Sequence, residues 1–192
     1  MQGAGAGSAG SSLHNSIYFP SFEALPMLDE TDGGGYYIET PQGMMQPART
    51  WCFVGEIVND SLSQMAVLGH RVEVRDATGA VKSIMFYPAS GWLDFSQLRV
   101  GHTVFVRYAT RCFFSDLATE AIKVEDLNYV KIIPLSLDIL MYISQAFFEQ
   151  RRLCCTCHQD LSVKGGAVFT CSSCQAATYC SPDCRVGGTS GF

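Results

Sequence analysis

The chain has 192 residues, 47% of them hydrophobic and 11% aromatic, and a formal net charge of −5. That length and composition suffice to bury one mid-sized core and a small appendage, so the chain is globular at least in part. Neither a basic start nor an apolar run of seven or more opens it, which argues against a secretory signal. The most apolar stretch, Ile132 to Phe148, carries Asp138 and Gln145 and does not read as a bilayer span. An intracellular location, cytoplasmic or nuclear, is expected.

Residues 1–16 are low-complexity Gly, Ala and Ser, and residues 17–48 mix Pro, Gly and acidic residues with Tyr36-Tyr37 and Met44-Met45. Glu23, Asp29, Glu30, Asp32 and Glu39 fall in this segment without any Lys or Arg. Lacking a hydrophobic period, residues 1–48 read as an acidic, mostly disordered tail; the alternative is that the aromatic patches fold back onto the next domain.

From Trp51 the pattern changes to short β-rich runs. Trp51 to Val58 reads as a first strand, and His70 to Asp76 alternates Val72 and Val74 with Arg71, Glu73 and Arg75, as a half-buried strand does. Asp76-Ala77-Thr78-Gly79 supplies a turn in which Gly79 is free to take positive φ, and Ala80 to Tyr87 returns as the hairpin partner. Pro88 to Leu98 breaks the alternation and has room for a short helix. Gly101 to Arg111 and Ala118 to Val124 add two strands, and Tyr129 to Ile133 extends the sheet. Three strands, an interruption and two strands, with no helix able to cover a parallel sheet, predict a mainly β fold over residues 49–133: a small OB-like antiparallel barrel.

Residues 134–152 are expected to form a connecting helix. Ser136 is a natural N-cap, Asp138 sits in the first turn, and Leu137, Leu140, Met141, Phe147 and Phe148 recur near helical spacing.

Of nine cysteines, seven fall between Cys154 and Cys184. Without an export signal, that density points to metal ligation and not to a disulfide framework. Cys154 and Cys157 form one C-x2-C knuckle, Cys171 and Cys174 another, and Cys180 and Cys184 a C-x3-C pair. Two thiolates two residues apart can point at one ion from a tight turn, and two such pairs complete a tetrahedral zinc site. On spacing alone Cys154, Cys157, Cys171 and Cys174 also approach a zinc ribbon, and Cys155 or His158 could join Cys171 and Cys174. Cys52 and Cys112 lie in apolar runs and read as core residues.

Residues 153–185 resemble the MYND-type zinc finger, most closely at Tyr179-Cys180-Ser181-Pro182-Asp183-Cys184. The resemblance implies interleaved sites: Cys154, Cys157, Cys180 and Cys184 share one zinc, while Cys171 and Cys174 form half of a second that the family completes with a later His and Cys. Here thirteen residues separate Cys157 from Cys171, and residues 186–192 offer neither His nor Cys, so one complete zinc site is expected, with a flexible tail and a truncated or alternatively spliced finger. Upstream, Val-Gly-Glu-Ile, Phe-Tyr-Pro, Val-Gly-His-Thr and the Ile-Pro-x-Ser-Leu helix resemble the layout of fungal MYND-finger proteins over roughly residues 51–184. MYND fingers take up short proline-containing peptides, so the resemblance implies a protein-interaction adaptor with a protein or peptide partner.

Four thiolates leave no open position for a catalytic water, and no phosphate loop, nucleophile elbow or SET-like motif is present, so no enzyme is expected. The alternative is an OB-fold single-strand nucleic-acid binder with a zinc-ribbon appendage, stacking bases on Trp51, Phe53, Phe86 and Tyr108. Against it, Trp51 to Ile133 holds eight basic and nine acidic residues, which gives a phosphate backbone no excess positive field.

Overall fold

The computed structural model describes residues 12–28, 35–60, 70–115, 118–150, 153–161, 168–171 and 177–187. The chain divides into two compact units, residues 1–141 and 142–192. In the first, a small hairpin of β1 (Tyr37–Glu39) and β2 (Met45–Pro47) precedes the main sheet. That sheet comprises β3 (Cys52–Asn59), β4 (His70–Asp76), β5 (Val81–Ser90), β6 (Thr103–Arg107), β7 (Arg111–Phe114), β8 (Thr119–Asp126) and β9 (Val130–Ile133). The helix α1 (Leu137–Gln150) follows, and it runs across the division between the units.

The alternation read in the sequence sets the strands. Val72 and Val74 of β4 face the core, opposite Ile84 and Lys82 of β5, and the outward Arg71 and Glu73 oppose Met85 and Ser83. At the hairpin tip Gly79 takes φ +87° and donates its N–H to the Asp76 carbonyl, a backbone conformation that a Cβ would strain. β5 continues past Pro88 to Ser90 because its pairing with β8 shifts register between Phe86 and Ser90, where a missing N–H breaks no regular ladder. The short helix expected after it is a single 3-10 turn, Phe95–Gln97, capped by the Asp94 side chain.

The strands follow the order β7-β8-β5-β4-β3-β6-β9. Every ladder is antiparallel except β5 with β8, which run parallel. Only Tyr108, Ala109 and Thr110 separate β6 from β7, yet β6 pairs with β3 and β7 with β8. The broken strand β6–β7 thus links β3 to β8 and closes a barrel, with β9 added outside on β6: a three-stranded meander, a parallel step to β8, and the broken strand returning to β3. This is the OB connectivity. Phe53, Ile57, Val72, Val74, Ile84, Phe86, Val104 and Ile122 fill the interior.

Tyr108 sits at the break with φ +58°. Its N–H donates to the Trp51 carbonyl at 3.0 Å, and Trp51 Nε1 donates to the Ala109 carbonyl at 2.8 Å. Trp51 is wholly buried and meets Tyr36, Tyr37 and Tyr108 edge to face at centroid distances of 4.8, 5.3 and 5.1 Å.

The disorder expected over residues 1–48 therefore does not extend to residues 12–28 and 35–48. Phe22 and Leu25 belong to the barrel core. The Phe22 N–H donates to the buried Asp76 carboxylate at 2.9 Å, and Glu23 pairs with Lys82 and Arg111 at 3.0 and 3.3 Å. Met27 bridges in parallel to Arg111, so this strap covers the edge of β7. Composition missed this because the few apolar residues of the strap are spaced to plug an opening, not to form a periodic element.

In the second unit, β10 (Phe169–Thr170) and β11 (Thr178–Tyr179) form a minimal hairpin, and α2 (Pro182–Gly187) follows. Its own small core gathers Cys154, Leu161 and Tyr179. Among the described residues no helix is long and apolar enough to cross a membrane.

Candidate metal centre

Local chemistry places each thiol. In the knuckle the Cys154 carbonyl accepts from the His158 N–H at 2.8 Å, and the Cys154 N–H donates to the Gln159 carbonyl at 2.9 Å. This tight turn needs a left-handed residue at its exit, and His158 supplies it with φ +55°. On the other side, Ser181 caps α2: its Oγ accepts the Cys184 N–H at 3.1 Å, with Pro182 at the first helical position and Asp183 in the first turn. The cap carries Cys184 back beneath Cys180.

Two further contacts fasten the halves together. Thr156 Oγ1 donates to the Cys184 carbonyl at 2.6 Å, and the Cys155 N–H donates to the Thr178 carbonyl at 2.9 Å. The sequence signals the Ser181 cap through its Ser-Pro-Asp pattern, but nothing in it singles out Thr156 or Thr178.

The result is a cluster of Cys154, Cys157, Cys180 and Cys184 whose sulfurs all lie within 4.8 Å of one another. Cys157 Sγ is 3.5 Å from Cys180 Sγ, which is 3.6 Å from Cys184 Sγ. These separations are far beyond a disulfide bond of about 2.05 Å. They approach the roughly 3.8 Å edge of a tetrahedron of thiolates around zinc, given a metal–sulfur bond of about 2.3 Å. The residues present thus fit a tetrahedrally held soft metal ion.

Electrostatics point the same way. Burial pushes the Cys154 thiol up, but the backbone N–H groups of Cys157, Cys180 and Thr156 outweigh it and bring the group down to about 6. Cys180, which shares a hydrogen bond with the Cys157 sulfur, donates its thiol proton to the Cys184 sulfur and lies close to Cys154, is raised to about 12. Four sulfurs this close cannot all ionise against one another, so the full thiolate set requires a cation at its centre.

Of the six candidate ligands, four converge. Cys171 lies outside that group: it packs on the Cys154–Leu161–Tyr179 core, and its N–H donates to the Ala177 carbonyl at 2.9 Å. Cys174 lies outside the described residues. Cys155 and His158 are exposed and are not in the sulfur cluster. In the barrel wall Cys52 and Cys112 are half-buried, not enclosed, and burial pushes the Cys52 thiol up to about 12, which keeps it protonated and unreactive. His70 stacks on Phe95 at 3.9 Å, and His102 Nδ1 meets the Gln97 carbonyl at 2.8 Å.

The proposed base-stacking residues fare differently. Trp51, Phe53 and Phe86 are wholly enclosed in the barrel, so three of the four cannot offer a face to a base; Tyr108 remains partly exposed. The sequence pattern marked these aromatics without revealing which side of the wall they take.

No protein-family model and no curated protein matches the chain. Among solved structures, the chain is similar to the solution structure of the OB domain of MM0293 from Methanosarcina mazei, at 12% identity and a TM-score of 0.34. That similarity covers 50% of this chain and 82% of the other. The barrel assignment rests on the strand order and closure described above.

Proposed function

We propose that this chain is an intracellular, zinc-binding adaptor in which Cys154, Cys157, Cys180 and Cys184 hold one structural zinc ion and the finger so fastened takes up a short proline-containing peptide. The observation that carries the reading is the convergence of four thiols from two separate segments, Cys154–Cys157 and Cys180–Cys184, within 4.8 Å. An all-thiolate set favours zinc among abundant intracellular ions, neutralises its Lewis acidity and leaves no position for water, which supports a structural and non-catalytic role. The MYND-like Tyr179 to Cys184 segment supports the peptide-binding part. A fold fastened by metal presents a rigid surface from few residues.

Metal stoichiometry of the purified chain tests the site. One zinc per chain is expected, lost in Cys180→Ser or Cys184→Ser and kept in Cys171→Ser; loss in Cys171→Ser with retention in Cys180→Ser would instead establish a ribbon. A labelled proline-containing peptide should bind the zinc-loaded chain and be released by a chelator. Binding that ignores the chelator would separate peptide recognition from the finger.

A further inference from the structure

The two terminal strands of the main sheet are treated differently. The outer edge of β7 is covered by the chain itself, where Arg111 exchanges backbone hydrogen bonds with Pro26 and Leu28 at 2.8 Å. β9 ends the sheet on the other side, and among the described residues no strand pairs with its outer edge. Alternate N–H and C=O groups of Val130 to Ile133 therefore point away from β6, ready to hydrogen-bond an incoming strand.

The side chains around that edge are cationic and aromatic. β6 and β9 pair with Phe105 opposite Lys131 and Val106 opposite Val130, so Arg107, Tyr129 and Lys131 share the outer face. The Arg107 guanidinium lies over the rings of Tyr108 and Tyr129 at 5.2 and 4.9 Å. Arg71, Arg75, Lys82, Arg111 and Lys123 all pair with carboxylates, whereas among the described residues neither Arg107 nor Lys131 does. Trp92 stands 80% exposed beside the start of β9, where the backbone of Gly91 packs against Asn128. Exposed Trp and Arg are the residue types enriched in binding anchors.

We infer that the outer edge of β9 takes up an extended, acidic segment of a partner protein as an added strand. Its carboxylates would face Arg107 and Lys131, and an apolar residue would cover Trp92. Charge decides the occupant. A second copy of this chain added edge to edge would bring two Lys131-bearing strands together, whereas an acidic strand places opposite charge beside Lys131 across the new ladder. The net charge of −5 does not oppose this, since the five acids of residues 1–48 account for it and residues 49–192 are balanced. The inference uses residues of the first unit alone and does not depend on the zinc reading.

The probe is a fluorescein-labelled peptide alternating Glu and Val, titrated by anisotropy against the full, zinc-supplemented chain at low salt. Binding is expected, about tenfold or more weaker in the Arg107→Glu/Lys131→Glu double variant, and lost when alternate backbone amides of the probe are methylated. In the unaltered chain the probe should slow amide hydrogen exchange at Val130 to Ile133, a readout that holds even if the double variant folds poorly. Absence of binding, binding that survives amide methylation (a charged patch without strand addition), or exchange protection confined to other strands would overturn the inference. So would a concentration-dependent dimer formed through β9.

Discussion

His158 occupies the left-handed position that closes the cysteine knuckle, at a conformational cost of roughly 1–2 kcal/mol for a residue with a Cβ. Glycine would remove that cost while losing some back to its greater freedom when unfolded. His158→Gly is therefore expected to keep the metal with undiminished affinity and raise finger stability by up to about 1 kcal/mol, as chelator competition and melting would show. Loss of metal would instead make His158 a ligand. Asp76 is the other residue whose surroundings define its role: 4% exposed, it accepts from the N–H groups of Phe22, Thr78 and Ala80 and from the Thr78 hydroxyl. Asp76→Asn turns a donor toward the buried Phe22 N–H and should cost about 1–3 kcal/mol in urea unfolding.

At the scale of elements, the strap of residues 19–28 behaves as part of the barrel. Phe22 is wholly buried, with Lys82 Nζ and the Arg111 guanidinium 4.6 and 5.8 Å from its ring centroid. Phe22→Ala should lower stability by about 3–5 kcal/mol, the range for emptying a large aromatic site. In a chain beginning at Thr50 the Asp76→Asn penalty should shrink, because the Phe22 N–H is gone. Equal penalties in the two backgrounds would place the role of Asp76 entirely in its own hairpin turn.

For the whole molecule, a barrel with an apolar core and a second unit whose four clustered thiols can hold a metal ion should respond differently to chelation. Chelation is expected to abolish finger structure while leaving the barrel's thermal transition in place, which near- and far-ultraviolet circular dichroism would separate. Acid should act on the same half. Protons compete for thiolates, so metal-derived stability is present at neutral pH and lost as pH falls; a bound cation holds its thiolates ionised against protons, so release is expected in the acid range. A metal-indicator dye followed across pH would register it, and an affinity that does not change with pH would argue against thiolate ligation.

Much of this protein is legible in its residues taken in order. The period-two alternation of His70 to Asp76, the Asp-Ala-Thr-Gly turn, the Ser136 cap of α1 and the cysteine spacings are local signals, because each depends on neighbours a few positions away. What only the tertiary structure decided depends on partners far along the chain. Phe22 reads as part of a polar leader until Asp76 and the open end of the barrel receive it. Trp51, Phe53 and Phe86 could face either side of the wall until strand register turns them inward. Which cysteine pairs meet is settled when α2 folds Cys180 and Cys184 back onto the knuckle, since spacing alone left the ribbon pairing open. Local order follows from backbone geometry and side-chain period, whereas long-range choice follows from which surfaces and charges must be buried together.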